Sequence, residues 1–189
     1  MSPGSNARIN ARKEEIVNAC EKLYQTMSFK EITIKEIGKE TSFSRTSIYN
    51  YYETKEEIFL ELLRREYNLW VSSLNEIIEK NDFMENEEIA AAIANSLNER
   101  QQLLKIMSMN HYDLEQNSRL ELLVEFKKSY GSSLKTVIKL LSKFRPDMDV
   151  AKQQEFVYVF FPFMFGIYPY TVVTEKQREA MEEADVNYT

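Results

Sequence analysis

Three helix-start signals crowd into residues 33–57, and they restrict the fold more than any other feature of this 189-residue chain. Thr33-Ile34-Lys35-Glu36 and Thr54-Lys55-Glu56-Glu57 both have the spacing of a capping box. In that motif the Thr hydroxyl accepts an amide of the first turn and the Glu carboxylate reaches back to the cap. Ser44, between them, is a third N-cap, with Phe43 and Ile48 placed as its hydrophobic staple. Ile32 and Ile37 form the same pair around Thr33. Helices starting near 33, 44 and 54 leave room for two short helices ahead of a long one. Short helix, tight turn, short helix is the outline of a helix-turn-helix.

The remaining periodicity is helical as well. Ile9, Ile16, Ala19, Cys20, Leu23, Tyr24 and Met27 share one stripe and predict a first helix over residues 9–28. The helix that starts at Thr54 carries its stripe through Leu69, Trp70, Leu74 and Ile77 to Lys80. Beyond a break at 81–84, helices are expected over 89–97, 101–109, 120–144, 149–170 and 175–184, with a polar loop over 111–116. No strand-like alternation occurs, and four Gly and four Pro are too few for a turn-rich barrel. The expected architecture is all-α, with eight or nine helices. A boundary inside the long helix separates an N-terminal domain, residues 1–65, from a C-terminal domain, residues 66–189.

Composition narrows the function. The net charge of −6 is uneven: residues 1–65 carry +1 and residues 66–189 carry −7. Nucleic-acid binding, if present, must rest on a local N-terminal patch. The single cysteine, Cys20, excludes an intramolecular disulfide and a Cys-cluster zinc site, and it suits a reducing compartment. Met1 to Ala7 lack the apolar core of a secretory signal, so a cytoplasmic location is expected. Phe156 to Val173 is free of charge, but Pro162, Pro169 and three scattered Tyr point to a buried helix rather than a membrane span. The sequon Asn187-Tyr188-Thr189 has no meaning without secretion.

A helix-turn-helix sets the first residues of its second helix against base edges in the major groove. Here these are Arg45, Thr46 and Ser47. Arg45 can pair bidentately with guanine, and Thr46 suits thymine or adenine edges. Tyr49, Tyr51 and Tyr52 can donate to phosphate oxygens. Thr33, Lys35, Thr54 and Lys55 sit at helix starts, where free amides favour a phosphate. Each residue alone also fits packing or capping. A polar, cation-bearing short helix contributes little to a core, however, so Ser44-Arg45-Thr46-Ser47 is harder to explain that way.

The stretch from Ile34-Lys35-Glu36-Ile37-Gly38 to Ser44-Arg45-Thr46-Ser47-Ile48-Tyr49-Asn50-Tyr51-Tyr52-Glu53-Thr54-Lys55-Glu56-Glu57-Ile58-Phe59 resembles the DNA-binding region of TetR-family transcriptional regulators. The resemblance covers about the first 65 residues. It implies a homodimer that binds a palindromic operator, usually as a repressor, and a C-terminal domain whose small-molecule effector releases the DNA. Ser42 replaces a Gly common in the turn, and Tyr52 replaces the usual Phe; Ser42 would be strained if its φ were positive.

The resemblance also gives candidates for the effector pocket: Trp70, Met107, His111, Tyr112, Phe126, Tyr130, Phe161, Phe165 and Tyr168. Each also fits ordinary core packing, and His111 also fits a capping or loop role. The segment 156–165 is apolar all round a helix, so burial is expected on every side: one against the protomer core, the other against a partner. Segments 117–144 and 149–184 are expected to supply the dimer interface and part of the pocket wall, with Pro162 kinking or interrupting its helix. No cofactor, metal or catalytic motif is expected, since HExxH, GxSxG and P-loop patterns are absent. A helical enzyme and a helical interaction module stand as the alternatives to a DNA-binding regulator.

Overall fold

The computed structural model describes residues 3–186. Its regular structure is helical throughout: α1 (Pro3–Tyr24), α2 (Ile34–Lys39), α3 (Arg45–Ile48), α4 (Lys55–Lys80), α5 (Asn86–Asn98), α6 (Gln101–Gln116), α7 (Leu120–Phe144), α8 (Val150–Thr171) and α9 (Glu175–Glu183). The sequon lies outside the described residues.

The helix starts fall where the capping residues place them, though the caps differ in detail. Thr33 Oγ1 accepts the Glu36 amide at 3.2 Å, but the Glu36 carboxylate takes Lys39 at 2.7 Å instead of reaching back. Thr54 Oγ1 accepts the Glu57 amide at 3.1 Å, while Glu57 receives the amide of Glu53 rather than that of the cap. Ser44 is the N-cap of α3 by position only, because its Oγ lies 3.1 Å from Ser47 Oγ and takes no amide.

The long α4 is the axis of the molecule. It packs against α1, α5, α6 and α7. Tyr67, Trp70 and Leu74 along it are wholly buried, and burying a large apolar side chain contributes about 1.5–3 kcal/mol. In the N-terminal part, Ile16, Cys20, Ile32, Ile37, Ile48, Tyr52 and Phe59 are buried, and they belong to one core continuous with that of the C-terminal helices.

Three expectations need correction. Helix α1 starts at Pro3 and ends at Tyr24, so it is displaced toward the N-terminus relative to 9–28. Residues 111–116 are the end of α6, not a loop. Wholly buried Leu114 anchors that turn, and His111 Nε2 meets Glu115 Oε1 at 2.8 Å one turn on. Finally, the segment 156–165 is not buried on every side of the single chain. Phe161 and Met164 face the core, whereas Tyr158, Val159 and Phe163 are exposed. Helix α8 runs on through Pro162 and Pro169 without interruption, and the chain turns by 80° between α8 and α9. Among the described residues, no single helix is long and apolar enough to cross a membrane.

Candidate nucleic-acid interface

Helices α2 and α3 touch because residue 38 has no side chain. A Cβ built on Gly38 would lie 3.3 Å from both Cα and Cβ of Arg45. Thr41 closes the turn, with its hydroxyl within reach of the Gly38 and Phe43 carbonyls at 3.2 and 3.1 Å. Ser42 donates its amide to Glu15 of α1, and that bond draws the Glu15 carboxyl below its ordinary value. Ser42 has no positive φ, so the missing turn glycine costs no strain. Ile34, Ile37 and Ile48 turn inward, which leaves Lys35, Arg45, Thr46 and Tyr49 facing out.

Five of the predicted DNA-contacting residues, Thr33, Lys35, Arg45, Tyr49 and Lys55, line one shallow depression together with Ile34. Its volume is about 430 Å³ and its lining contains three cations and no carboxylate. Arg45 Nη2 donates to Tyr49 Oη at 3.2 Å, which sets the guanidinium along the outer edge of α3. Lys55 Nζ donates to the Phe29 carbonyl at 2.6 Å and lies 4.1 Å from the centre of the Phe29 ring. One of its protons is therefore committed, and the ammonium is held at the rim of the depression. Thr46 is exposed beside it and Ser47 is half-buried.

The Thr54 side chain and the Tyr51 main chain are engaged at the α6–α7 junction, and Tyr52, also expected at a phosphate, is wholly buried. Thr54 Oγ1 donates to the Asn117 carbonyl at 3.0 Å, so its only proton is turned toward the α6–α7 junction. The Tyr51 carbonyl accepts Arg119 Nη2 at 3.1 Å. Arg119 is also bound to Glu57, which is 1% exposed: Nε at 2.7 Å, Nη2 at 2.9 Å and its own amide at 3.1 Å. Burial pushes the Glu57 carboxyl up, but the Arg119 guanidinium and the Glu53 and Arg119 amides outweigh it and hold it below the ordinary value. The sequence pointed to Glu57 only as a capping residue, and nothing in it pointed to Arg119. The pair ties the end of the helix-turn-helix to the start of α7.

Of the effector-pocket candidates, Trp70, Met107, His111, Phe126, Tyr130, Phe161 and Phe165 pack into one aromatic cluster. Ring centres are 4.7 Å apart for His111–Phe165, 5.7 Å for Tyr130–Phe161 and 6.0 Å for Trp70–Phe161. Met107 Sδ accepts the Tyr67 hydroxyl at 3.4 Å. Burial holds the His111 imidazole below its ordinary value against the pull of Glu115, and Nδ1 has no partner among the described residues. Tyr168 is half-buried on α8, and Tyr112 is 74% exposed on the outside of α6. Open space lies next to this cluster, beyond Phe160: an apolar groove of about 670 Å³ between α5, the end of α7 and α8.

Comparison with known proteins joins the two halves. Residues 16–62 match the family profile described as "Bacterial regulatory proteins, tetR family". Residues 64–189 match "Tetracyclin repressor-like, C-terminal domain". The chain belongs to the TetR family. It is thus a DNA-binding transcriptional regulator, with its helix-turn-helix in α2 and α3. Among solved structures, this TetR-family chain is similar to the fatty acid degradation regulator FadR from Bacillus halodurans, with a TM-score of 0.59 and 13% identity. The match covers 93% of this chain and 87% of that one, and at this identity it speaks for the shared fold. A comparison with curated proteins gives no match.

Proposed function

We propose that this TetR-family regulator is a homodimeric repressor, not an enzyme, that binds a palindromic operator in the cytoplasm and is released by a small-molecule effector. Residues 1–65 form the DNA-binding part and residues 66–189 the effector-binding and dimerisation part. The observation that carries the reading is the acid-free depression at α3. It collects Lys35, Arg45 and Lys55 on one face of a chain that is otherwise acidic. A duplex phosphate backbone meets three cations there, and the acidic C-terminal part adds no competing non-specific affinity.

Arg45 and Thr46 read bases, with Ser47 at the edge of the contact, while Lys35, Tyr49, Lys55 and the Thr33 end of α2 hold phosphates. Thr54 acts mainly by positioning the start of α4, and Tyr51, whose carbonyl holds Arg119, offers its hydroxyl to a phosphate. The dimer reading is supported by α8, whose outer row holds Tyr158 at 82% and Val159 at 63% exposure, and by α9, which buries none of its residues. Two copies related by a two-fold axis would present their α3 helices to successive half-sites.

Selection of a random duplex pool on the purified protein tests the reading. Enrichment of a palindrome is expected. Arg45→Ala should relax base preference at one position, while Lys35→Ala should weaken all sequences alike and flatten the salt dependence. A pool with no enriched sequence, or equal losses on specific and random DNA for both variants, would refute the role given to α3.

A further inference from the structure

The α5–α7–α8 groove has a direction. At one end, Asn86, Arg145, Asp147 and Lys152 line it; along the rest, the lining is Ile89, Ile93, Leu97, Phe156, Phe160 and Phe163. Arg145 Nη1 meets Asn86 Oδ1, which brings the start of α5 to the end of α7 and fixes the polar end. The opposite end lies near Trp70, whose Nε1 donates to Ser96 Oγ at 3.0 Å and whose ring centre is 6.4 Å from that of Phe160. From Lys152 to Phe163 the groove follows α8 for about 16 Å at the helical rise. A pocket with an apolar body and a few polar groups at one end suits an elongated molecule of the same pattern.

The charge at the polar end selects the head group. Arg145 and Asp147 satisfy each other through two bonds, Nε to Oδ1 at 2.9 Å and Nη2 to Oδ2 at 2.7 Å. Lys152 enters no ion pair among the described residues, so one cation in the lining is left over. The neighbouring carboxylates Glu85 and Asp149 are the N-caps of α5 and α8, where the positive ends of those helices offset them.

We infer that this groove binds a single-chain amphiphile with an anionic head, an acyl-chain carboxylate, with the head at Lys152 and Arg145 and the chain along α8 to Phe163. The inference rests on the effector reading above and names the ligand class for it. None of the nine sequence candidates lines the groove, although Trp70 backs it through Phe160.

Trp70 is the only tryptophan, so its fluorescence reports on the groove. The full-length protein is titrated, below micelle-forming concentrations, with dodecanoate, dodecanol and dodecyltrimethylammonium. Saturable binding is expected, tightest for dodecanoate and weakest for the cation. Lys152→Gln should weaken dodecanoate about fivefold, as for an exposed ion pair, and leave dodecanol unchanged. Ala94→Phe fills the groove from its exposed rim with little risk to the fold, and it should abolish binding. Equal affinity for all three probes, or binding unaffected by Ala94→Phe, would overturn the inference. So would a change from dimer to monomer in Ala94→Phe with binding of dodecanoate intact, since the groove would then be a subunit contact. Operator affinity is measured in parallel. Dodecanoate that binds in the groove without loosening operator DNA would leave the ligand class standing and remove the effector role.

Discussion

Two side chains carry more of this molecule than their neighbours do, in opposite senses. Tyr52 is wholly buried and its hydroxyl has no hydrogen-bond partner among the described residues. Burial, helped by the Glu61 and Glu57 carboxylates nearby, pushes its phenol far above the ordinary value. A phenylalanine would keep the ring and remove the stranded hydroxyl, so Tyr52→Phe should stabilise by about 1 kcal/mol and raise Tm by about 2–4 °C. A thermal melt showing a loss would mean that the hydroxyl is satisfied in solution. Arg119 is the reverse case. Arg119→Ala leaves the Glu57 carboxylate buried without its main partner. A fully buried pair costs about 3–5 kcal/mol to break, but one edge of Arg119 is exposed, so about 2 kcal/mol is expected here. The sign with pH follows from the lowered Glu57 value. The pair's contribution is complete above the unfolded carboxyl value of 4.5 and is lost as pH falls through the lower folded one. Denaturation curves of the protein and of Arg119→Ala should therefore diverge at neutral pH and converge in acid. A constant gap across that range would remove Glu57 from the account.

At the scale of elements, the close approach of α2 and α3 can be tested without touching an outward-facing residue. Ala is a better helix former than Gly by about 1 kcal/mol, which offsets part of the crowding that a Cβ at position 38 meets at Arg45. Gly38→Ala should therefore change Tm little, yet shift α3 by a few tenths of an ångström and weaken operator binding several-fold. Unchanged affinity by fluorescence anisotropy would show that the register of α3 does not depend on this contact. The helix starts were legible for a related reason: Thr33, Ser44 and Thr54 are local signals, and capping is decided within one turn. The end of α6 was not legible. Its polar run is held helical by Leu114, buried under other helices, and by Glu115, which also takes Lys127 of α7 at 2.6 Å. The Glu57–Arg119 pair was hidden for the same reason, since its partners lie sixty-two positions apart. The groove escaped notice because helix packing leaves it between α5 and α8, and no single helix carries a sign of it.

On the scale of the whole molecule, α8 must serve three neighbours at once. At 3.6 residues per turn its side chains divide into three rows. Gln153, Phe161 and Met164 face the core; Lys152, Phe156, Phe160 and Phe163 line the groove; Glu155, Tyr158, Val159, Pro162 and Gly166 face outward. The uniform hydrophobicity that suggested complete burial is the sum of these rows, and only the first is covered within one chain. An outer row of aromatic, β-branched and small residues, left open next to an α9 that buries nothing, has the composition of an isologous contact. Val159→Glu and Tyr158→Glu lie outside the groove lining, so they test the contact without touching the ligand site. In the proposed dimer, a charge facing its own copy across the two-fold axis should shift the protein to monomer at micromolar concentration, as read by light scattering. Each monomer would keep its α3 surface and its salt-dependent affinity for random DNA. It would lose the palindrome preference, because two half-sites are read together only when both α3 helices are held at a fixed spacing. A variant that stays dimeric would place the subunit contact elsewhere and leave the outer row of α8 without a partner.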